Sequence, residues 1–265
     1  LYLRALDQLE GTPLQGTEDA VAPFFSPDGL WIGFTSDDDD HLKKVPVTGG
    51  PAITLAEDVQ QGFASASWGD DGYIVYTADR WLLARVPGTG GVSTYLVNPD
   101  SIRIDAMLWP SLLPGGTAVL FQRCSVGCSS SDLAVLDIAT QDITVLVPGA
   151  TRGWYLRTGH LLYATDNGAL YAVAFDPGRR EVTGSPVPVL DQVQAGNAFG
   201  ARFAISPAGA MAYLPGTTIT GSQLVEVDRS GRETPVIPEL GRRAHPRWSP
   251  NGDRIAMTIA GADGD

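Results

Sequence analysis

The sequence is poor in cysteine, histidine and basic residues, and it contains no long apolar run. Two cysteines in 265 residues exclude a scaffold built on disulfides, and without a second cysteine pair they cannot complete a structural zinc set. The three histidines, His41, His160 and His245, stand far apart in the chain. Neither a His-Glu-x-x-His helix nor a Gly-x-Ser-x-Gly elbow occurs, so no local motif marks a catalytic centre. Against 30 acids there are only 18 lysines and arginines, and the net charge of −12 disfavours non-specific attraction to nucleic acid or to an anionic membrane surface. No stretch of about 18 apolar residues is present, so no membrane insertion by this chain is expected. Its first residues do not read as an export signal. A sustained 3.6-residue periodicity is also missing, whereas 43% hydrophobic residues with 31 glycines and 19 prolines suit many short strands joined by tight turns.

What is there is a repeat. Phe24-Phe25-Ser26-Pro27-Asp28-Gly29-Leu30-Trp31-Ile32 reads as strand, turn, strand, because proline presets φ and glycine tolerates a positive one. It returns as Trp248-Ser249-Pro250-Asn251-Gly252. Weaker copies are Trp68-Gly69-Asp70-Asp71-Gly72, Leu112-Leu113-Pro114-Gly115-Gly116 and Ile205-Ser206-Pro207-Ala208-Gly209, and Leu156-Arg157-Thr158-Gly159 is the most degenerate. Aligned on the serine position, the copies stand at residues 26, 69, 113, 157, 206 and 249, with intervals of 43, 44, 44, 49 and 43. That period suits a four-stranded propeller blade. The 16 residues after Ser249 and the 26 up to Ser26 supply one further interval of 42. The predicted fold is therefore all-β, a six-bladed β-propeller of four-stranded antiparallel blades, with the ring closed by N-terminal strands that complete the last blade. The blades fall near residues 20–57, 61–98, 103–148, 151–191, 199–238, and 243–265 plus 1–17, leaving no remainder for a second domain. The longer fourth interval predicts extra loop around residues 176–186 and 192–197.

Three local features invite a functional reading. Asp37, Asp38, Asp39 and Asp40 lack the alternating spacing and closing glutamate of a calcium loop, and are read as a solvated turn. Gly88-Thr89-Gly90-Gly91 is followed by a strand and no P-loop lysine, and is read as a hairpin. No metal and no cofactor is expected. Cys124 and Cys128 enclose Ser125-Val126-Gly127 and read as a small disulfide across a hairpin loop, with two free thiols as the alternative. A disulfide would imply an oxidising compartment.

In a propeller the first strand of each blade lines the central channel. Counting back from the turns puts Arg103, Arg152, Arg202, Arg242, Arg243, His245 and Arg247 on or just before these strands, accompanied by Trp109 and Trp154. Guanidinium groups hold carboxylate or phosphate bidentately and stack on aromatic faces. These residues would form an anion-accepting funnel where the loops lead into the strands, open to a small anionic ligand or a carboxylate-bearing protein partner. In the competing reading the arginines pair with Asp19, Asp105 and other rim acids and tie blades together. A monomer is expected.

The repeat resembles that of the TolB-like, WD40-like six-bladed propellers of bacteria. Phe25-Ser26-Pro27-Asp28-Gly29 and Trp248-Ser249-Pro250-Asn251-Gly252 carry the likeness, which covers essentially the whole chain. More narrowly, Leu1-Tyr2-Leu3-Arg4-Ala5-Leu6-Asp7, Gly16-Thr17-Glu18, Leu42-Lys43-Lys44-Val45-Pro46-Val47 and Val225-Glu226-Val227-Asp228-Arg229 look like the propeller regions that follow the kinase domain of bacterial serine/threonine protein kinases. The resemblance implies a non-catalytic sensor or docking module, periplasmic or extracellular, in a membrane-anchored parent. This chain holds no Gly-rich ATP loop and no His-Arg-Asp or Asp-Phe-Gly signature, so it is expected not to be an enzyme. The alternatives are a channel enzyme of hydrolase or lyase type, its residues drawn from several blades, and the gating propeller of a peptidase.

Overall fold

Each predicted turn closes on one hydrogen bond, from a glycine N–H to the carbonyl three residues back. The pairs are Gly29 to Ser26, Gly72 to Gly69, Gly116 to Leu113, Gly159 to Leu156, Gly209 to Ser206 and Gly252 to Ser249. Gly29 and Gly252 have φ of +70° and +73°, the left-handed region in which a side chain is strained. The serine has its own task. The Ser26 hydroxyl accepts the Trp31 N–H at 3.0 Å and donates to the Asp28 carboxylate at 2.5 Å, and Ser249 likewise accepts the Arg254 N–H at 3.0 Å. Both serines are buried, and their hydroxyls satisfy a backbone donor where the strand leaves the ladder. In the degenerate copy the acceptor is Leu156 rather than Arg157, so the register of that blade begins one residue earlier than the sequence alignment placed it.

The computed structural model describes residues 1–8, 10–60, 65–100, 102–125, 130–191, 193–196, 200–206, 209–215, 224–228, 231–237 and 243–259; for residues 195, 196, 200, 201, 243–245 and 259 it describes the backbone alone. Among the described residues six antiparallel sheets form the blades, four-stranded except in the fourth blade, whose sheet has a short fifth strand, with inner strands Ala20–Phe25, Ala66–Trp68, Ala106–Leu112, Ala150–Leu156, Phe203–Ile205 and Arg243–Trp248. No α-helix occurs among the described residues. The sixth blade runs Arg243–Trp248, Arg254–Ile259, Tyr2–Ala5 and Thr12–Pro13. Its seam pairs Tyr2 with Met257, Leu3 with Ala256, Arg4 with Ile255 and Ala5 with Arg254, the closure that the 42-residue interval predicts. Inner strands of neighbouring blades touch from blade 1 to blade 4, and again from blade 5 through blade 6 to blade 1.

Two local differences stand out. Trp81, read from the sequence as the first residue of a strand reaching Val86, instead ends a single 3₁₀ turn, Asp79–Trp81, in which Arg80 and Trp81 have φ near +60°, and the strand is Leu83–Pro87. In the fourth blade the expected loop at 176–186 is partly a strand. Glu181–Val182 pairs with Phe175 and Asp176 before Val187–Leu190 returns to pair with the same strand, Leu170–Asp176.

Apolar clusters fill the wedges between blades. Leu42 and Leu55 of the first blade pack on Ile74 and Tyr76 of the second, and Leu83 and Leu96 of the second on Val119 and Phe121 of the third. Because both faces of each blade are covered in this way, the middle strands are buried on both sides. Lys44 spans one wedge, its ammonium donating to the Gly88 carbonyl at 2.7 Å while lying 4.4 Å from the Trp31 ring centre.

Prolines interrupt the inner strands at one common level. Pro23, Pro110 and Pro246 each stand three residues before the turn's carbonyl, and a proline offers the ladder no N–H. The pairing shifts there, between Val21 and Phe24, between Leu108 and Ser111, and between Ala244 and Arg247. In the fourth blade, where Gly153 takes the place of proline, the shift lies between Ala150 and Arg152. Ala22 and Trp109, each just before its proline, have φ of +49° and +53°, which is rare for a tryptophan. Trp109 is fixed there from the neighbouring blade, since its N–H donates to the buried Ser65 hydroxyl at 3.0 Å. Such bulges re-aim side chains, so strict strand alternation fails at the level that faces the channel.

Candidate functional site

A cavity of about 330 Å³ lies where the inner strands run out into their turns, and all six blades contribute to its wall. Trp109, Arg152, Trp154 and Arg247, all anticipated from the sequence, line it together. Arg152 is 5% exposed, with its guanidinium carbon 4.5 Å from the ring centre of Trp109 and 4.1 Å from that of Trp154. Trp154 rests in turn on Phe203, ring centres 4.2 Å apart. Burial, and then the positive charge of Arg247, push the Arg152 pKa well below its ordinary value. Burial lowers Arg247 to about 10, so it remains charged at neutral pH. Arg247 donates to its neighbour's carbonyl, Pro246 O, at 2.9 Å.

The wall is polarised. Arg152 and Arg157 come from the fourth blade and Arg247 from the sixth, flanking the fifth, which contributes Ile205. Across the ring the first and second blades supply Phe24, Phe25 and Trp68, together with Asp70, an exposed carboxylate at the rim and, among the described residues, the one acid in the wall. Phe24 and Trp68 meet edge to face, centroids 6.3 Å apart. Each ring occupies space that a glycine leaves open, for a Cβ at Gly33 would stand 2.2 Å from Phe24 and one at Gly88 2.5 Å from Trp68. Among the described residues neither Arg157 nor Arg247 has a carboxylate within 4.0 Å, and the ion pairs that do form lie elsewhere, as in Arg180 with Asp137 and Arg80 with Asp100. The indole N–H of Trp248, a buried wall residue, has no hydrogen-bond partner among them either.

Other anticipated residues fall apart from this cluster. Arg103 is exposed, ahead of Ala106–Leu112, and is not in the wall. Arg202 is half-buried just before Phe203–Ile205, with its pKa lowered by burial, and does not line the cavity. Arg242 lies outside the described residues, as do the side chains of Arg243 and His245. The funnel was expected where loops enter the inner strands, but the cavity opens at their other end, among the turns. That is why Arg157, in the turn after Leu156, belongs to it and Arg103 does not. Sequence reasoning also passed over Phe24, Trp68 and Trp248. For Phe24 and Trp248 the signal was the proline three residues before the turn, Pro23 and Pro246, which foretells a bulge and therefore which residues turn inward; Trp68 has no such proline before it. Cys124 is fully buried and disulfide-bonded, packed with Leu108 and Trp109 behind the cavity wall, and Cys128 lies outside the described residues.

No protein-family model matches the chain, and no curated protein sequence matches it. Solved structures do. A protein assigned as TolB from Agrobacterium tumefaciens is 16% identical, covers 97% of this chain and 96% of its own, and superimposes with a TM-score of 0.70. The calcium-binding protein regucalcin from the same organism is 15% identical over 96% of this chain and 84% of its own, with a TM-score of 0.66. A gluconolactonase from Xanthomonas campestris, XC5397, is 13% identical over 97% and 86%, with a TM-score of 0.69. These likenesses show the fold alone. They also correct one expectation, that the chain is not an enzyme. The gluconolactonase has the same architecture, so a propeller ring of this kind can carry catalysis, and the lack of local nucleophile motifs does not argue against it. No helix among the described residues is long and apolar enough to cross a membrane.

Proposed function

We propose that this chain is a ligand-binding propeller whose channel cavity accepts a small organic anion, as the receptor part of an extracytoplasmic sensor. One observation carries the reading: Arg152 and Arg247 line one cavity, near enough for the Arg247 charge to act on Arg152, and among the described residues the wall holds a single exposed carboxylate. The Arg247 charge, drawn partly out of water, incurs a desolvation cost that a bound anion relieves. Stacking of Arg152 on two tryptophans holds that charge in place without consuming the cavity volume. A pocket of this size suits a small molecule rather than a protein segment of any length. The disulfide at Cys124 supports an oxidising compartment. The calcium named for regucalcin does not carry over, because three arginines and one aspartate cannot supply the six to eight oxygens that the ion takes. The reading is independent of whether the bound anion is turned over.

The test is calorimetric titration with a panel of small carboxylates, each paired with its neutral amide. Binding of acids and not amides, lost in Arg247→Gln, is the expected result. Equal binding of the amides, or no binding of any acid, overturns it.

A further inference from the structure

We infer that the anion is aromatic, a planar ring bearing a carboxylate, held with its head between the fourth and sixth blades and its ring against the second. The inference rests on the anion-binding reading and adds to it a direction and a chemical class. In a ring of six, the blade opposite the fifth is the second. The positive wall is centred on the fifth blade, where Arg152 and Arg247 flank Ile205, and the opposite wall is Trp68 with Phe24 beside it. Asp70, also on the second blade, repels a carboxylate from that side and so fixes the direction in which a ligand lies.

At the positive wall the group that meets the carboxylate is the Arg247 guanidinium, a fork of five donors with one N–H group spent on Pro246 O. At the opposite wall Trp68 is seated against Gly88 and lies 5.9 Å from the Lys44 ammonium, so one side of the indole is engaged in structure and the other borders the cavity. The edge-to-face contact with Phe24 leaves a corner of two aromatic surfaces, into which a flat ring packs better than a puckered one.

The experiment compares 2-naphthoate with its saturated counterpart, decahydro-2-naphthoate, on the full chain by titration calorimetry. The naphthoate is expected to bind about 2- to 12-fold tighter, the range that an aromatic contact confers. Trp68→Leu is expected to remove that preference, bringing the two acids to equal affinity, and Trp68→Phe to retain it. Arg247→Gln weakens both acids alike. Equal affinities for the two acids, or a preference unchanged in Trp68→Leu, overturn the aromatic assignment while leaving anion binding intact. If neither acid binds, the anion reading fails and takes this inference with it. Circular dichroism of each variant identifies a misfolded one; if Trp68→Leu is misfolded, the comparison of the two acids on the parent chain decides.

Discussion

Replacing Arg247 with methionine separates a residue kept for a ligand from one kept for the fold. An arginine whose folded pKa, about 10, lies below its ordinary 12.5 is destabilising in its charged form. Sign matters: the cost is fully present at every pH below about 10 and fades only as pH rises from there toward 12.5, so it operates at neutral pH. The gap corresponds to roughly 3 kcal/mol at 1.36 kcal/mol per pH unit. Solvent reaching the half-buried side chain through the cavity reduces this to about 1–2 kcal/mol. Methionine keeps most of the packing volume, loses the bond to Pro246 O and removes the repulsion on Arg152. Swapping buried charge for apolar volume commonly leaves stability unchanged or raises it. At about 2–4 °C per kcal/mol for a chain near this length, scanning calorimetry at pH 7 should find Arg247→Met melting about 2–8 °C above the parent. The same variant should no longer gain stability when a carboxylate ligand is added, whereas the parent gains about 2.7 kcal/mol at a hundredfold excess over Kd. Arg247→Lys, which keeps the charge, is the control and should not gain. A lower melting temperature for the methionine variant would show that Arg247 holds the blades together, and the desolvation argument would fall.

Gly88→Ala puts a Cβ 2.5 Å from the Trp68 ring and should cost about 1–3 kcal/mol by overpacking, with a shifted tryptophan fluorescence maximum, because the ring must leave the cavity wall. Asp39 is held at about 2 in spite of its partial burial by hydrogen bonds from Lys43, Ser36 and the His41 N–H. Its small contribution to stability is therefore present above the ordinary carboxylate range and lost as pH falls through about 2; in Lys43→Ala, carboxyl NMR titration should place it closer to 3.8. Cys124 is predicted to pair with Cys128, so intact mass should rise by two hydrogens on reduction of the denatured protein, and labelling of both thiols without reductant would contradict it.

The fold was legible because its punctuation is chemical. A glycine at positive φ and a serine that caps the departing strand recur where no other residues serve as well, and their interval counts strands. The seam of the ring was legible by the same counting. The fourth blade was misread by one residue because Leu156-Arg157-Thr158-Gly159 contains neither the serine nor the proline, and its turn is visible only in the hydrogen bond of Gly159 to Leu156. That single step moves Arg152 into line with Trp109, which occupies the same place in the third blade. The site was half legible. Arginines on inner strands could be counted, but their direction was hidden by the breaks at Pro23, Pro110 and Pro246, after which alternation no longer tells inside from outside. Partnerships across the ring, such as the stacking of Arg152 on Trp109, depend on how far the blades approach, and no spacing in one chain segment encodes that.

The seam between Tyr2–Ala5 and Arg254–Ile259 sets the order in which the ring can be completed. Its two sides are about 250 residues apart, against roughly 10 between paired strands elsewhere in a blade. Loop-closure entropy grows only logarithmically, so the longer connection adds about 2.8 kcal/mol, a small sum beside the ladder and apolar contacts it secures. Time is the larger consequence. At synthesis rates of about 5–20 residues per second, roughly 10–50 s separate the appearance of Tyr2–Ala5 from that of its partner strand. Throughout that interval one edge of the segment is open, its other edge having only Thr12–Pro13, the situation in which chains pair with the wrong edge. Arg4 stands within it and Asp7 just beyond, charges that keep it soluble while it waits, and the ring's earliest strand becomes the last to be paired on both edges.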